Sequence, residues 1–164
     1  MKILLTGEGG QGVQVAGEIL ALAAFFENKK VSLIPNFGVE QRGGVSLVFL
    51  EIGENGYPKF DQADILAIFC DRAIERIKKH IGKDTKIILG PAVISKKIPG
   101  VSNLFRVEGG NLPAKVWNIL VLKEIIRLTK IVKIETLKKA LEKKFKEKFK
   151  ENPEIKRINL KALE

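Results

Sequence analysis

Residues 2–24 read KILLTGEGGQGVQVAGEILALAA, and this stretch decides the fold. Residues 2–6 are a short apolar run that meets glycines at once, the pattern of a buried parallel strand entering a tight turn. Between Gly10 and Glu27, the residues Val13, Ala16, Gly17, Leu20 and Ala24 recur at three- and four-residue steps. That spacing predicts a helix, and its small residues let it lie close on a sheet. Gly7, Gly9, Gly10, Gln11 and Gly12 belong to a segment that fits G-x-G-x-x-G between strand and helix. Glycines let the backbone turn sharply and approach a ligand, and free N–H groups at a helix start favour phosphate. The alternative is a turn that serves only strand–helix packing. An NAD site also needs an acid at the end of the second strand. Leu33-Ile34-Pro35-Asn36 supplies none, and Glu27 and Glu40 are the nearest acids, so an ordinary NAD dehydrogenase is disfavoured.

Outward from this unit, VSLIP (31–35) reads as the second strand and VSLVFLEI (45–52) as a β-rich run, followed by a turn or hairpin at Asn55-Gly56. ADILAIFC (63–70) reads as another strand, leading to a helix over 71–82 that closes on Gly82. KIILG (86–90) and LFRVEG (104–109) read as further strands. A buried helix is expected from Asn111 to Leu128, with Asn111 as N-cap and Pro113 in its first turn. A last helix spans about 134–149 on the stripe Leu137, Leu141, Phe145 and Phe149, with fraying past Pro153. Strands alternating with helices predict one α/β domain over residues 1–164: a Rossmann-like, three-layer fold with a mostly parallel sheet and C-terminal helices.

The chain has 164 residues, 45% of them hydrophobic, enough for a core and little more than one domain. A single cysteine, Cys70, excludes an internal disulfide, a Cys-only zinc site and an iron–sulfur cluster held by this chain alone. One histidine, His80, leaves little for His-based metal sites or a Ser-His-Asp triad. No signal peptide or membrane span is read from the start of the chain, so a cytoplasmic location is expected. Net charge is +10, which points to an anionic partner or an acidic neighbouring subunit. Residues 1–110 hold 14 basic and 12 acidic groups, and residues 111–164 hold 15 and 7, so the excess is C-terminal. Lysine supplies 23 of the 29 basic residues, a bias away from the arginine forks of nucleic-acid readers and toward a solvated helix face.

The second constellation is Gly38-Val39-Glu40-Gln41-Arg42-Gly43-Gly44. In an extended segment Glu40 and Arg42 share a side. Arg42 can fork onto a carboxylate or phosphate, with Gly43 and Gly44 clearing space. An internal Glu40–Arg42 ion pair that shapes the loop is the other reading.

GEGGQGVQVAGEILALAA (7–24) followed by FGVEQRGGVSLVFLEI (37–52) resembles the gamma subunit, or gamma domain, of 2-oxoacid:ferredoxin oxidoreductases, the family acting on pyruvate, 2-oxoglutarate, branched-chain 2-oxoacids and indolepyruvate. The resemblance continues through ADILAIFCDRAIERI (63–77) and Asn118, over about residues 1–150. It implies a Rossmann-like subunit, silent alone, in a complex that decarboxylates a 2-oxoacid oxidatively with coenzyme A and passes electrons to ferredoxin. Thiamine diphosphate, magnesium and [4Fe-4S] clusters are then expected on alpha, beta and delta-type partners. In that reading Gly7, Gly9, Gly10, Gln11 and Gly12 line the active-site cleft. Glu40, Gln41, Arg42, Gly43 and Gly44 receive anionic groups of coenzyme A or substrate, or brace an interface. A free-standing nucleotide-binding module, with Arg42 serving an NADP phosphate, and a nucleic-acid-binding protein are the competing readings. Cys70 and Trp117 are expected to pack in the core and His80 to face solvent, while Asp61 and Asp64 are placed to cap or touch a partner.

Overall fold

The apolar run at the start forms β1 (Lys2–Glu8), longer by two residues than its hydrophobic core because Gly7 and Glu8 still pair with a neighbouring strand. A computed structural model describes residues 1–36, 44–53, 59–95, 98 and 101–164. The expected turn at Asn55-Gly56 lies outside them. After β1 come α1 (Val13–Phe26), β2 (Val31–Asn36), β3 (Val45–Ile52) and β4 (Ala63–Ile68). Then follow α2 (Ile74–Ile77), β5 (Ile81–Leu89), β6 (Leu104–Arg106), α3 (Trp117–Thr129), α4 (Ile134–Lys144), α5 (Lys146–Glu151) and α6 (Pro153–Lys161).

The strands make a six-stranded sheet in the order β2-β3-β1-β4-β5-β6. β1, β4, β5 and β6 are joined by parallel pairings, whereas β3 runs antiparallel to both β1 and β2. Only β3 is reversed, so the sheet is mostly parallel as expected.

Alternation along each strand divides the core. Ile3, Leu5, Val48, Leu50, Ile65, Ala67 and Ile88 face α1, α3, α4 and α6 on one side. Leu4, Phe49, Leu66, Ile68, Ile87 and Leu89 face the other side. That second side is covered by a thinner layer: Ala73 and Ile77 of the short helical segment, Phe60, and the loop residues Val93 and Ile98. α1 lies flush on the sheet because Gly17 leaves no gap; a Cβ there would stand 2.7 Å from Val48 Cγ1.

Three local expectations need correction. The helix read over 71–82 is a 3-10 turn (Asp71–Ala73), one α-turn (α2) and a second 3-10 turn (Lys78–His80). β5 then begins at Ile81, opposite Ala63, which makes Gly82 a strand residue rather than a helix stop. α3 starts at Trp117 after a 3-10 turn (Ala114–Val116), so Asn111 is not its N-cap and Pro113 is not in its first turn; Pro113 stands just before the 3-10 turn. The last helix breaks at Phe145, and the chain past Pro153 forms α6 instead of fraying. Asn152 Oδ1 accepts the N–H groups of Glu154 and Ile155, both at 3.1 Å, and Pro153 occupies the first turn, where a missing N–H costs nothing. Ile158, Ala162 and Leu163 carry this helix into the main core.

His80 also departs from expectation, being only 4% exposed. Its Nδ1 faces the carbonyls of Phe60 and Asp61 at 3.2 and 2.9 Å, and its ring stands edge-on to Phe49 with centroids 5.3 Å apart. Cys70 is buried as expected, and burial pushes its thiol up. Asp64 Oδ2 accepts the backbone N–H of Lys2 at 2.7 Å, tying β4 to β1. Among the described residues, no helix is long and apolar enough to cross a membrane.

Candidate functional site

Between β1 and β4 the chain reverses its direction of travel across the sheet: from β1 it moves through α1 to β2, and from β4 it moves the other way to β5. Crevices outside the carboxyl ends of strands at such a reversal are where open α/β sheets hold ligands. The glycine loop occupies that place. Gly7 is still in β1, and a Cβ on it would lie 2.6 Å from Phe69 Cβ and 2.9 Å from Val13 Cγ2. Gly9 and Gly10 face open space, with no heavy atom within 4 Å of a Cβ, and Gly10 takes φ 89°. Gly12 takes φ 72° at the start of α1. Three of these glycines are therefore demanded by geometry, and Gly9 alone is free of constraint from the chain itself.

Gln11 is held at both ends of its carboxamide. Its Oε1 accepts the Glu8 N–H at 2.8 Å and its Nε2 donates to the Phe69 carbonyl at 3.1 Å. The side chain closes the loop on itself and ties it to the end of β4, and the residue also lines a cavity beside the loop. Beyond it, α1 has no side-chain cap and no acid in its first turn, and its first helical bond runs from Ala16 to Gly12. The N–H groups of Val13, Gln14 and Val15 have no intrahelical acceptor at the positive end of the helix, an arrangement that favours an anion.

Two cavities flank the loop. One, of about 370 Å³, is lined by Gly9, Gly10, Gly12, Gln14 and Ser46 beside the start of α1. The other, of about 330 Å³, is largely apolar and is bounded by Gly10, Phe69, Pro91, Ala114 and Trp117, with Lys115 at its edge. Trp117 thus lines a cleft instead of filling the core; its indole N–H donates to the Leu112 carbonyl at 3.0 Å, and its ring would clash with a Cβ on Gly109. A larger cavity, about 430 Å³, lies at the opposite end of the strands near Asp64, Lys83 and Asp84. It has none of the glycine-loop chemistry and is at the wrong sheet end for a ligand of this fold.

The loop that continues from Pro91 and Ala92 of the apolar cleft is held firmly. Asp71 Oδ2 accepts the Ile94 N–H at 2.8 Å and Oδ1 the Ser95 N–H at 2.9 Å. Arg106 donates to the Val93 carbonyl at 2.7 Å and to the Ser95 carbonyl at 2.5 Å. Partial burial opposes the charged carboxylate, but hydrogen bonds from Ser95 and Ile94, with Arg106 nearby, outweigh it and hold Asp71 below its usual range. Such a lowered group stabilises the fold above its unfolded value, and the contribution is lost as pH falls through the folded value. Asp71→Ala is therefore expected to lower the melting temperature at neutral pH, with the gap to wild type closing as the solution is acidified below the ordinary carboxylate range. A constant gap across that range would show that the charge is not what matters.

Of the second constellation, Glu40, Gln41, Arg42 and Gly43 lie outside the described residues, and only Gly44 is within them. The chain leaves β2 at Asn36 and re-enters through Gly44 into Val45, which pairs with Glu8. The ends of that segment thus stand at the same edge of the sheet as the glycine loop. Glu8 is itself paired with Arg72 at 3.1 Å. Asn118 and Asp71, which the sequence marked only as places where the family resemblance continues and to which it gave no role, complete the surroundings.

Residues 2–164 match the family described as pyruvate ferredoxin/flavodoxin oxidoreductase. The chain belongs to that family. This oxidoreductase-family chain is 30% identical over 151 residues to the 2-oxoglutarate synthase subunit KorC of Methanocaldococcus jannaschii, covering 85% of itself and 81% of that protein. It is 29% identical over 160 residues to the common gamma subunit of the pyruvate/ketoisovalerate oxidoreductases of Thermococcus kodakarensis, covering 88% and 86%. Among solved structures, the keto/oxoacid ferredoxin oxidoreductase gamma subunit of Geobacter sulfurreducens superposes with a TM-score of 0.77 at 25% identity, over 99% of this chain and 93% of that one. The 2-oxoglutarate:ferredoxin oxidoreductase of Magnetococcus marinus shares the fold, with a TM-score of 0.85 at 24% identity. This chain covers 99% of itself there but 29% of that chain, so the family member spans about three tenths of the larger protein. The relatives are gamma-type subunits of 2-oxoacid oxidoreductases, and they do not favour a free-standing nucleotide-binding module.

Proposed function

We propose that residues 1–164 form the gamma subunit of a multi-subunit 2-oxoacid:ferredoxin oxidoreductase. In the assembled enzyme the 2-oxoacid loses its carboxylate as carbon dioxide, the acyl group passes to the sulfur of coenzyme A, and the electrons released pass to ferredoxin. The family match over residues 2–164 carries this reading. This chain does not fit the redox clusters of that chemistry: a cluster needs several thiolates and the chain has one cysteine, buried at the end of β4. In this reading the [4Fe-4S] clusters, and with them thiamine diphosphate and magnesium, belong to alpha, beta and delta-type partners, with ferredoxin as acceptor and the cytoplasm as location.

The part of this chain is to receive and orient. The open backbone at Gly9 and Gly10 and the N–H groups of Val13–Val15 suit the phosphates of coenzyme A, and the apolar cleft beside Trp117 suits its uncharged portion. Gly7, Gln11 and Gly12 shape that loop. Glu40, Gln41, Arg42, Gly43 and Gly44 meet anionic groups of coenzyme A or the substrate, or brace the neighbouring subunit. Co-purification of the tagged chain from its host, with mass identification of the partners and assay of 2-oxoacid-dependent reduction of a ferredoxin substitute, tests the reading. Partners rich in cysteine and binding thiamine diphosphate are expected. In the same complex Arg42→Ala is expected to raise the apparent KM for coenzyme A or the 2-oxoacid. A chain that purifies alone and binds nucleotide by itself would return the free-standing module to favour.

A further inference from the structure

Asn118 touches Gly12, which lines one cavity, and follows Trp117, which lines the other. It is the second residue of α3, only 7% exposed, and both ends of its carboxamide are engaged. Nδ2 donates to the Gly12 carbonyl at 3.3 Å, and Oδ1 accepts the Ile119 N–H at 3.0 Å. The same Gly12 carbonyl accepts the Ala16 N–H at 2.9 Å, the first helical bond of α1. One carbonyl thus carries both the opening bond of α1 and a tether from α3, 106 residues further along the chain. The fit is close: a Cβ on Gly12 would lie 2.5 Å from Asn118 Nδ2. On one side of this contact Gly12 lines the cavity at the start of α1, and on the other Trp117, the neighbour of Asn118, lines the apolar cleft.

We propose that Asn118 is a positioning residue that locks the glycine loop, and with it the first N–H groups of α1, to the Trp117 cleft, so that the two cavities keep one relative geometry. The proposal rests on the reading of this loop as a ligand-facing part of a gamma subunit. Gly9 and Gly10 have no side chain to anchor them, and a Cβ at either would meet no heavy atom within 4 Å. Their placement depends on what grips the loop at either end, which is the Gln11 amide on the β4 side and the Asn118 amide on the α1 side. Removing the Asn118 donor leaves the Gly12 carbonyl with its helical bond alone and frees α1 to shift against α3.

The test uses the assembled complex with Asn118→Asp and Asn118→Ser, read by amide hydrogen exchange over residues 11–16 and by steady-state kinetics with coenzyme A as the varied ligand. Aspartate keeps the acceptor for Ile119 and the shape of asparagine, but when ionised it has no proton to give Gly12; protonated, its O–H can donate there. Serine is too short to reach. Exchange is expected to quicken about tenfold in both variants at neutral pH, the size of one lost hydrogen bond. The apparent KM for coenzyme A is expected to rise by a similar factor with kcat changed by less than about twofold. Relative to wild type at each pH, the aspartate variant should recover as the solution is acidified and the serine variant should not, which a merely structural defect would not reproduce. Unchanged exchange in a folded variant, or an equal pH response in both, overturns the proposal. Faster exchange with an unchanged KM upholds the positioning role and instead removes coenzyme A from the loop. If the serine variant fails to accumulate, the isosteric aspartate variant supplies both readouts.

Discussion

Gly12→Ala is expected to destabilise the protein by about 2–5 kcal/mol, adding the cost of a side chain in the left-handed region to that of an overfilled contact. Gly12 holds φ 72°, and its new methyl would occupy the space of Asn118 Nδ2, 2.5 Å away. The substitution has two routes to relief, and both are damaging: the backbone leaves the left-handed region and takes the start of α1 with it, or Asn118 swings out and a buried amide loses its acceptor. Chemical denaturation should report a lower midpoint with an unchanged slope, since the surface exposed on unfolding is the same. Gly9→Ala is the matched control. No atom lies within 4 Å of its Cβ, so stability should move by less than about 0.5 kcal/mol, as at unconstrained surface positions. If both alanines prove equally harmless, the loop is not held as described.

Leu50→Ala is expected to cost about 3.5 kcal/mol, the middle of the range for removing a buried leucine side chain. Leu50 has no exposed surface, lies in β3 opposite Ile3 of β1 and Leu33 of β2, and faces the helical side of the core. α1 presses on that side with Gly17 already in contact with Val48, so the helix has little freedom to settle into the void. For a chain of this length the loss corresponds to roughly 7–14 °C in melting temperature. A drop of a degree or two would mean that the sheet and α1 collapse onto the cavity more readily than their packing suggests.

How much of this was legible before any coordinates differs from segment to segment. β3 matches the expected run 45–52 residue for residue, because a β-rich segment bounded by glycines leaves no competing period. α1 was equally plain from its small and apolar stripe. The segment 71–82 misled because its polar, helix-like spacing says nothing of the register of β4, whose pairing with Ile81 pulls the chain straight again. Pro153 was read as an end, whereas Asn152-Pro153 is a helix start; the same two residues serve either role, and only the burial of Ile158 and Leu163 distinguishes them. His80 could not be placed from its neighbours in sequence, since the carbonyls that face its Nδ1 come from Phe60 and Asp61, in the loop just ahead of β4.

At the site the same division holds. Need for glycine at positions 7, 10 and 12 follows from strand, turn and helix in succession, and the pattern announces it. The engagement of Gln11 with Phe69, and of Asn118 with Gly12, joins residues 58 and 106 positions apart, which no local pattern encodes. Sequence reasoning accordingly found the loop and its members but not the side chains that hold it in place.

The grip on the glycine loop from β4 and α3 has a thermodynamic side. A loop tied to its surroundings only by neighbours in sequence can loosen while the rest of the protein stays folded, and a ligand on it then stabilises little beyond itself. Here the loop is fastened to the end of β4 through Gln11 and to α3 through Asn118, both parts of the main body of the fold. Each of these ties adds roughly 1 kcal/mol to the cost of opening the loop without the rest of the fold. A ligand that needs the closed loop is correspondingly better placed to raise resistance to heat and denaturant, in proportion to the logarithm of its concentration over its Kd.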